Sequence, residues 1–452
     1  MTDLLSIGRS GVLAYRAALT AVGENVSNAD TEGYARRSVV INESAISSST
    51  NYQYRSNANF GGADIGAVQR VNDEYKSSYA RLATSDAAKA DTKSQWLQTA
   101  ETALDDSDVG LGVKMSSVFT SAESLATDVN SNPNRQAMMG ALQDAAQQFN
   151  TTAIALEKAA TGLTTSAQST VDGLNVQLKA LAAVNLGLQR AQKGTTGQSL
   201  LLDQRDTLLK QIAGGIGIDV KLTTDGRATV TVAGSSAMVL VDAAKPQSAF
   251  IGMVQATDGR ISLVASGFTD PSAISPQSGS LAGLVDASNV IASRRTDLDA
   301  IAQKFSDTIN NWNSGGVDGN GAPGAALLSG GSSAATMGLV TTDISKIAAA
   351  STGGVANGNA LALKNLRTST GPEAGWALLV ATNAQSVATA KAEASATDSR
   401  RDSALTDLNA TTGVNLDGEA AQLLQYQQAY GACSKIIQVA KETLQEIMNL
   451  FN

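Results

Sequence analysis

The feature that most constrains this fold is a seven-residue apolar repeat at the carboxyl end of the chain. The repeat consists of Leu416, Leu423, Tyr430, Ile437, Leu444 and Phe451. A companion series follows it, with Glu419 as its one polar member, and contains Tyr426, Cys433, Ala440 and Ile447. A sustained seven-residue repeat keeps one stripe of a helix facing a partner helix. The pattern therefore predicts a long terminal helix of coiled-coil type.

The amino end of the chain carries the same kind of repeat. Its members are Leu5, Val12, Leu19 and Val26, with Gly8, Tyr15 and Val22 three residues after the first three. Either stripe alone is also compatible with an ordinary helix that faces a core. Chain ends usually fray, however, and here both extreme ends are built this way. We therefore expect the two terminal helices to pair with each other or with other subunits.

The middle of the chain predicts a very long helix followed by β structure. No proline lies between Pro133 and Pro246, and Ala or Leu recurs every seven residues up to Leu188. Asn132-Pro133 is a suitable helix start. Gly194 and Gly197 are suitable as its end. Residues 217–265 then alternate between apolar and polar, and two Thr-Asp-Gly-Arg tetrapeptides interrupt them as hairpin turns.

The predicted fold is mainly α with an inserted β domain. It has paired N- and C-terminal helices of coiled-coil type, a long helical bundle domain and a small β head. Helical periodicity returns from about Leu281 to Trp312 and again over 373–409, after a Gly/Ser/Asn-rich loop region over 313–371. The predicted division has residues 1–40 and 412–452 as the two halves of the terminal domain, 41–215 and 278–411 as the helical domain, and 216–277 as the β domain.

Enzyme chemistry finds little support in this composition. The 452 residues include no histidine, which excludes Ser-His-Asp and Cys-His nucleophiles and histidine-ligated metals. Cys433 is the single cysteine, so an intrachain disulfide is excluded and the residue is expected to be a small buried hydrophobe. Asp318-Gly-Asn320 lacks the other ligands of a calcium loop, and an exposed turn is the better interpretation. We expect no catalytic residue, cofactor or metal.

Charge and hydropathy also limit the partners. The net charge is −8 without a basic run, so no nucleic-acid binding is expected. No run of about 18 apolar residues occurs, so no membrane insertion is expected. The first eight residues lack the basic start and apolar core of a cleavable signal peptide.

The amino-terminal segment resembles a known signature. Ser10–Tyr15 and the stretch from Asn25 through Gly33-Tyr34-Ala-Arg36 resemble the motif shared by bacterial flagellar rod, hook and hook-associated proteins. In physical terms it is a helix, a polar stretch, a glycine turn and an anchoring aromatic residue, Tyr34. The continuation Arg36–Ile41 is most similar to the hook-associated protein 1 family. Arg36-Arg37 itself is interpreted as a solvated turn, or as a contact with an acidic neighbouring subunit.

Three further stretches narrow the resemblance to that family. Leu201-Leu-Asp-Gln-Arg-Asp206 resembles its internal LDQRD-type helix, and Gly279–Leu284 resembles the start of its return helix. Gly413–Glu419 with Leu423–Tyr430 resembles its C-terminal signature, although Gly418 replaces a residue that is usually acidic. A hook or rod protein remains an alternative against which these stretches argue. A non-flagellar helical adhesin is the other alternative, and neither a signal peptide nor a membrane span supports it.

The resemblance implies a structural adaptor that joins hook to filament and assembles as a ring through its terminal helices. It implies export through the flagellar type III route without cleavage, to the extracellular hook–filament junction. The implied partners are further copies of the chain, hook protein, hook-associated protein 3, and an export chaperone on the C-terminal helix. The predicted assembly interface combines both stripes with the turn motif, namely Leu5, Val12, Tyr15, Leu19, Val22, Val26, Gly33, Tyr34, Leu416, Leu423, Tyr426, Tyr430, Ile437, Leu444, Ile447 and Phe451.

Overall fold

The computed structural model describes residues 2–43, 62–268, 270–329 and 333–450. Within these ranges the chain is mainly α with an inserted β domain. The helices are α1 (Thr2–Ser27), α2 (Glu74–Leu104), α3 (Leu111–Thr127), α4 (Asn132–Arg190), α5 (Thr196–Gly215), α6 (Ser280–Ser314), α7 (Gly358–Ala362), α8 (Pro372–Thr412) and α9 (Leu416–Leu450). The strands are β1 (Arg37–Glu43), β2 (Ala63–Arg70), β3 (Ile218–Leu222), β4 (Ala228–Val232), β5 (Ser235–Val241), β6 (Phe250–Gln255), β7 (Ile261–Ser266), β8 (Ser272–Ile274), β9 (Gly316–Val317) and β10 (Ala350–Ser351).

The terminal helices α1 and α9 pack on each other and run antiparallel. Gly8 near the start of α1 lies against Ile437 late in α9, and Asn25 near the end of α1 lies against Glu419 at the start of α9. This arrangement confirms the predicted pairing of the two ends within one chain. Asn415 starts α9, because its side chain accepts hydrogen bonds from the backbone N–H groups of the first helical turn.

The helical bundle is organised around α4, the longest helix. Ser131 caps its start with Pro133 in the first turn, as the sequence predicted. Phe149 on α4 packs on Phe305 of α6 with ring centroids 5.6 Å apart, and both rings are fully buried. The end of α4 differs from the prediction. The helix stops at Arg190, and Gly197 lies inside α5.

The inserted β domain consists of two three-stranded antiparallel sheets, β3-β4-β5 and β6-β7-β8. Both predicted hairpin turns are present, with Gly226 and Gly259 at φ +86° and +90°, where glycine is favoured. Two asparagines of α4 hold the sheets. Asn185 bonds both the N–H and the carbonyl of Ala228 in β4, and Asn175 does the same to Ile251 in β6.

The sequence did not predict the antiparallel β1–β2 pair, which packs beside α1. Strand β1 runs across residues 40 and 41, where the predicted domain boundary lies. The loop region after α6 is mostly irregular, and Asp318 there accepts hydrogen bonds from the backbone N–H groups of Asn320 and Ala322. No helix among the described residues is both long and apolar enough to cross a membrane.

Candidate assembly site

Small residues form the seam between α1 and α9. Gly8, Gly11, Ala14, Ala18 and Ala21 of α1 are all buried there. A Cβ added at Gly8 would lie 2.7 Å from Ile437 Cγ1, and one added at Gly11 would lie 2.5 Å from Cys433 Sγ. The two backbones therefore approach closely because these positions lack larger side chains.

The predicted interface residues of α1 mostly flank this seam. Val22 is buried in it, whereas Leu5, Val12, Tyr15 and Leu19 are half-buried beside it. Val26 is exposed. The turn residues differ from each other, since Gly33 is exposed with φ +81° and Tyr34 is half-buried.

The predicted residues of α9 divide in the same way. Four of them are half-buried, namely Leu423, Tyr426, Ile437 and Ile447. Tyr426 packs on Tyr15 with ring centroids 6.3 Å apart, as expected of packing residues rather than a ligand box. Three others are exposed, namely Leu416, Tyr430 and Leu444. Phe451 lies outside the described residues.

Large apolar side chains remain on the outside of the helix pair. We call this set the outer apolar surface, and it comprises Leu4, Leu13, Val26, Leu416, Leu424, Tyr430, Ile436, Val439, Leu444 and Met448, each at least 36% exposed. Beyond Ala440, most described residues of α9 are exposed, because Gly8 already lies opposite Ile437 and α1 begins shortly before it. In proteins generally, large contiguous apolar patches on the surface mark sites that bind another macromolecule.

A buried polar cluster lies where the end of α1 meets the start of α9. Glu419 of α9 is only 1% exposed, and its carboxylate accepts hydrogen bonds from Arg36 Nε at 2.7 Å and Asn25 Nδ2 at 3.0 Å. Asn25 Oδ1 in turn accepts from the Tyr34 hydroxyl at 2.8 Å and from the Arg37 backbone N–H at 2.9 Å. We call these five residues the polar joint, because they tie α1, the turn motif and α9 together.

The polar joint continues into the helical domain through Arg37. Its Nη2 donates to Asp203 of α5 at 2.8 Å, and Arg70 of β2 donates to the same carboxylate at 2.6 Å. Arg70 also pairs with Asp206, and Arg37 with Glu24, at 2.8 and 3.1 Å. The segment that resembles the LDQRD-type helix thus supplies the carboxylates of Asp203 and Asp206, which bind Arg37 of the turn motif and Arg70 of β2. The interpretation of Arg37 as part of a solvated turn is wrong, since its side chain is only 7% exposed.

Burial and charge shift the acid–base properties of this cluster. Burial raises the pKa of Tyr34 to about 12, although the nearby Arg37 guanidinium acts in the opposite direction. For Arg37, burial disfavours the charged form, but the hydrogen bond and charge of Asp203 outweigh it and raise its pKa. With both pKa values raised, the Tyr34 hydroxyl stays protonated and the Arg37 guanidinium stays positively charged at neutral pH.

Glu419, Asn25, Asp203 and Arg70 were missed as functional candidates by the reasoning from sequence. The one available signal was the position of Glu419, a charged residue within an otherwise apolar companion series. Because charges are rarely buried without a partner, that interruption indicates a buried polar contact. The described residues bring together no set of three His, Cys, Asp or Glu side chains able to hold a metal ion.

Two family models match the chain. The first, described as the flagellar hook-associated protein FlgK helical domain, matches residues 97–328. The second, described as the flagellar basal body rod FlgEFG protein C-terminal, matches residues 410–450. Together they cover part of the bundle, the β domain and all of α9.

Individual relatives point in the same direction. The chain is 24% identical to flagellar hook-associated protein 1 of Bacillus subtilis, over 98% of this chain and 97% of that protein. It is 25% identical to the protein of that name from Escherichia coli, over 72% of this chain but only 59% of the relative's length. The chain is also similar to the solved flagellar hook junction protein FlgK from Burkholderia pseudomallei, with a TM-score of 0.50 and 20% identity over 56% of this chain and 46% of that one. That last likeness concerns the fold alone.

Proposed function

The chain belongs to the family of the flagellar hook-associated protein FlgK, and from this premise we propose that it joins hook to filament as a ring held together by its terminal helices. The role is mechanical, because each copy would link neighbours below and above it in the flagellum. No enzymatic step forms part of the proposal.

The observation that supports the proposal is that small and large apolar residues occupy different faces of the terminal helix pair. The small residues of the seam are used up within the chain, whereas no other part of the chain that the structure describes covers the outer apolar surface. Burying a large apolar side chain contributes about 1.5–3 kcal/mol, so the surface is suited to hold copies together. Isolated exposed apolar residues would need no explanation, but a series along both terminal helices favours an assembly interface.

Location and further partners follow from the family. We propose that the chain is exported without a cleaved signal peptide and lies outside the cell at the hook–filament junction. Hook protein and hook-associated protein 3 are its proposed neighbours. An export chaperone is proposed to cover the apolar side chains of α9 before secretion. A hook or rod protein is the weaker candidate, since the rod-protein model matches only residues 410–450 while the FlgK model matches 97–328.

Deletion of the gene followed by electron microscopy tests this function. We expect hooks without filaments, with filament protein released into the medium, whereas normal filaments on the deletion strain would refute the proposal.

Complementation then tests the interface. A chain with Leu416→Ser and Leu444→Ser should be exported but restore few filaments, because both side chains belong to the outer apolar surface. The matched control is Val254→Ser, a similarly exposed apolar residue in the β domain, and it should restore filaments fully. Equal restoration by both variants would contradict assembly through the terminal helices.

A further inference from the structure

The terminal helix pair has a register problem that its apolar residues cannot solve. A repeat of seven residues allows α9 to shift along α1 by one heptad, about 10 Å, and still place a stripe on the seam. In the observed register Gly11 faces Cys433 and Asn25 faces Glu419. Beyond the close approaches at Gly8 and Gly11, the other residues of the seam are small or apolar and offer no polar contact that would distinguish this register from a shifted one.

We propose that Glu419, together with Asn25 and Arg36, sets the register of the terminal helix pair. Glu419 is buried, and both of its hydrogen-bond partners come from positions that only the observed register brings to it. Buried polar residues at seam positions specify register in coiled coils, at a cost in stability. Glu419 is therefore a positioning residue, and its role goes beyond the adaptor function.

Each shifted register leaves a charge or an amide without its partners. A shift in one direction brings Glu419 opposite Ala18, whose methyl group cannot donate a hydrogen bond. The opposite shift moves Glu419 past the end of α1 and brings Asn25 opposite Tyr426. The first shift is strongly unfavourable because it leaves a buried carboxylate unpaired, and the opposite shift is unfavourable because the Asn25 amide loses its carboxylate partner.

The single cysteine of the chain makes this register measurable. Cβ atoms at Gly11 and Cys433 would lie 3.4 Å apart, close to the usual range for a disulfide. Gly11→Cys therefore reports the observed register when the full chain is oxidised with glutathione disulfide. Ala18→Cys and Leu4→Cys report the two registers shifted by one heptad, because each would then lie opposite Cys433. Intrachain products are separated from dimers on a non-reducing gel.

With Glu419 present, we expect a disulfide from Gly11→Cys and none from Ala18→Cys or Leu4→Cys. With Glu419→Leu, we expect at least one shifted reporter to rise by about tenfold or more, since a polar seam residue that specifies register has been removed. Glu419→Gln keeps a carbonyl acceptor for one of the two donors but turns an NH2 group towards the other, so the shifted reporters should rise less than with Glu419→Leu. The control Glu446→Leu makes the same change at an exposed position of α9 and should move no reporter.

Two results would overturn the proposal. In the first, Glu419→Leu leaves the shifted reporters silent while Gly11→Cys still forms its disulfide, which would show that the small-residue seam alone sets the register. In the second, Glu419→Leu abolishes every disulfide and reduces the helical circular dichroism signal, which would show a role in stability only.

Discussion

Substitution of Asp203 should weaken the connection between the terminal helix pair and the helical domain more than any other single change. Its carboxylate receives hydrogen bonds from two guanidinium groups, Arg37 at 2.8 Å and Arg70 at 2.6 Å. All three side chains are at most 10% exposed. Asp203→Ala would therefore leave two buried positive charges facing each other without the carboxylate between them.

The expected magnitude follows from the partners that remain. Breaking a buried ion pair by removing one member costs about 3–5 kcal/mol. Arg37 retains Glu24 at 3.1 Å, and Arg70 retains Asp206 at 2.8 Å, so part of the loss is recovered. We therefore expect Asp203→Ala to lower the free energy of unfolding by about 2–4 kcal/mol.

Urea unfolding at neutral pH measures this loss, followed by far-UV circular dichroism and by tryptophan fluorescence. Coincident transitions are required before a free energy is derived. Asp307→Ala, at an exposed position of α6, is the matched control and should change stability by less than about 0.5 kcal/mol. A double-mutant cycle with Arg37→Ala should give a coupling of at least about 1 kcal/mol. A loss equal to that of the control, or no coupling, would refute the assignment of Asp203 as the anchor.

Three other predictions concern packing, acid–base behaviour and the β domain. Gly8→Ala should destabilise the terminal pair, because its new Cβ would lie 2.7 Å from Ile437. Gly23→Ala has open space around its new Cβ and should stabilise α1 by up to about 1 kcal/mol, so the two variants should shift the thermal unfolding temperature in opposite directions. Tyr34 should ionise near pH 12 in a spectrophotometric difference titration against Tyr34→Phe, and a transition near pH 10 would contradict this. Because folding raises the pKa of Tyr34 from 10.0, its contribution to stability should be lost as pH rises from about 10 to 12. Asn185→Ala leaves the backbone N–H and carbonyl that begin β4 without their partner and should cost about 2–3 kcal/mol, with faster amide exchange in β4 and β5 but not in β6–β8.

Much of the helical scaffold could be predicted from periodicity, because Leu and Phe stand out against polar neighbours. The long helix α4, the return helix α6 and the terminal pair were all found in this way. Helix α2 was missed because its buried face is largely alanine, for example Ala80, Ala87 and Ala90, and alanine contrasts little with its surroundings. The β1–β2 pair was missed because its strands are separated by residues 44–62, and no two-residue turn marks such a connection.

At the candidate assembly site, the hydrophobicity pattern predicted only some of the residues that make the contact between α1 and α9. The large residues of the repeat, Leu5, Val12 and Leu19, flank the contact with α9, whereas the predicted companion positions Gly8 and Val22 lie in it. In the structure the contact with α9 lies on the Gly8–Gly11 face, because close backbone approach requires small residues, which a hydrophobicity pattern does not weight. Glu419 interrupts an apolar series in the sequence, but its partners Arg36 and Asn25 are almost 400 residues away, and no local pattern connects them.

This separation of small from large residues also bears on how a ring of such chains can be held together. If α1 and α9 had paired through their large apolar side chains, the chain would have satisfied its own stripes and offered little to a neighbour. Pairing through the glycine and alanine face of α1 leaves Leu416 and Tyr430 outside the contact, and Leu444 lies beyond the start of α1. Because the polar joint ties the same two helices to Asp203, a load on the outer apolar surface would pass into the helical domain through hydrogen-bonded ion pairs. Stiffness at that joint, rather than further apolar contact area, is therefore the property we expect an adaptor between hook and filament to need.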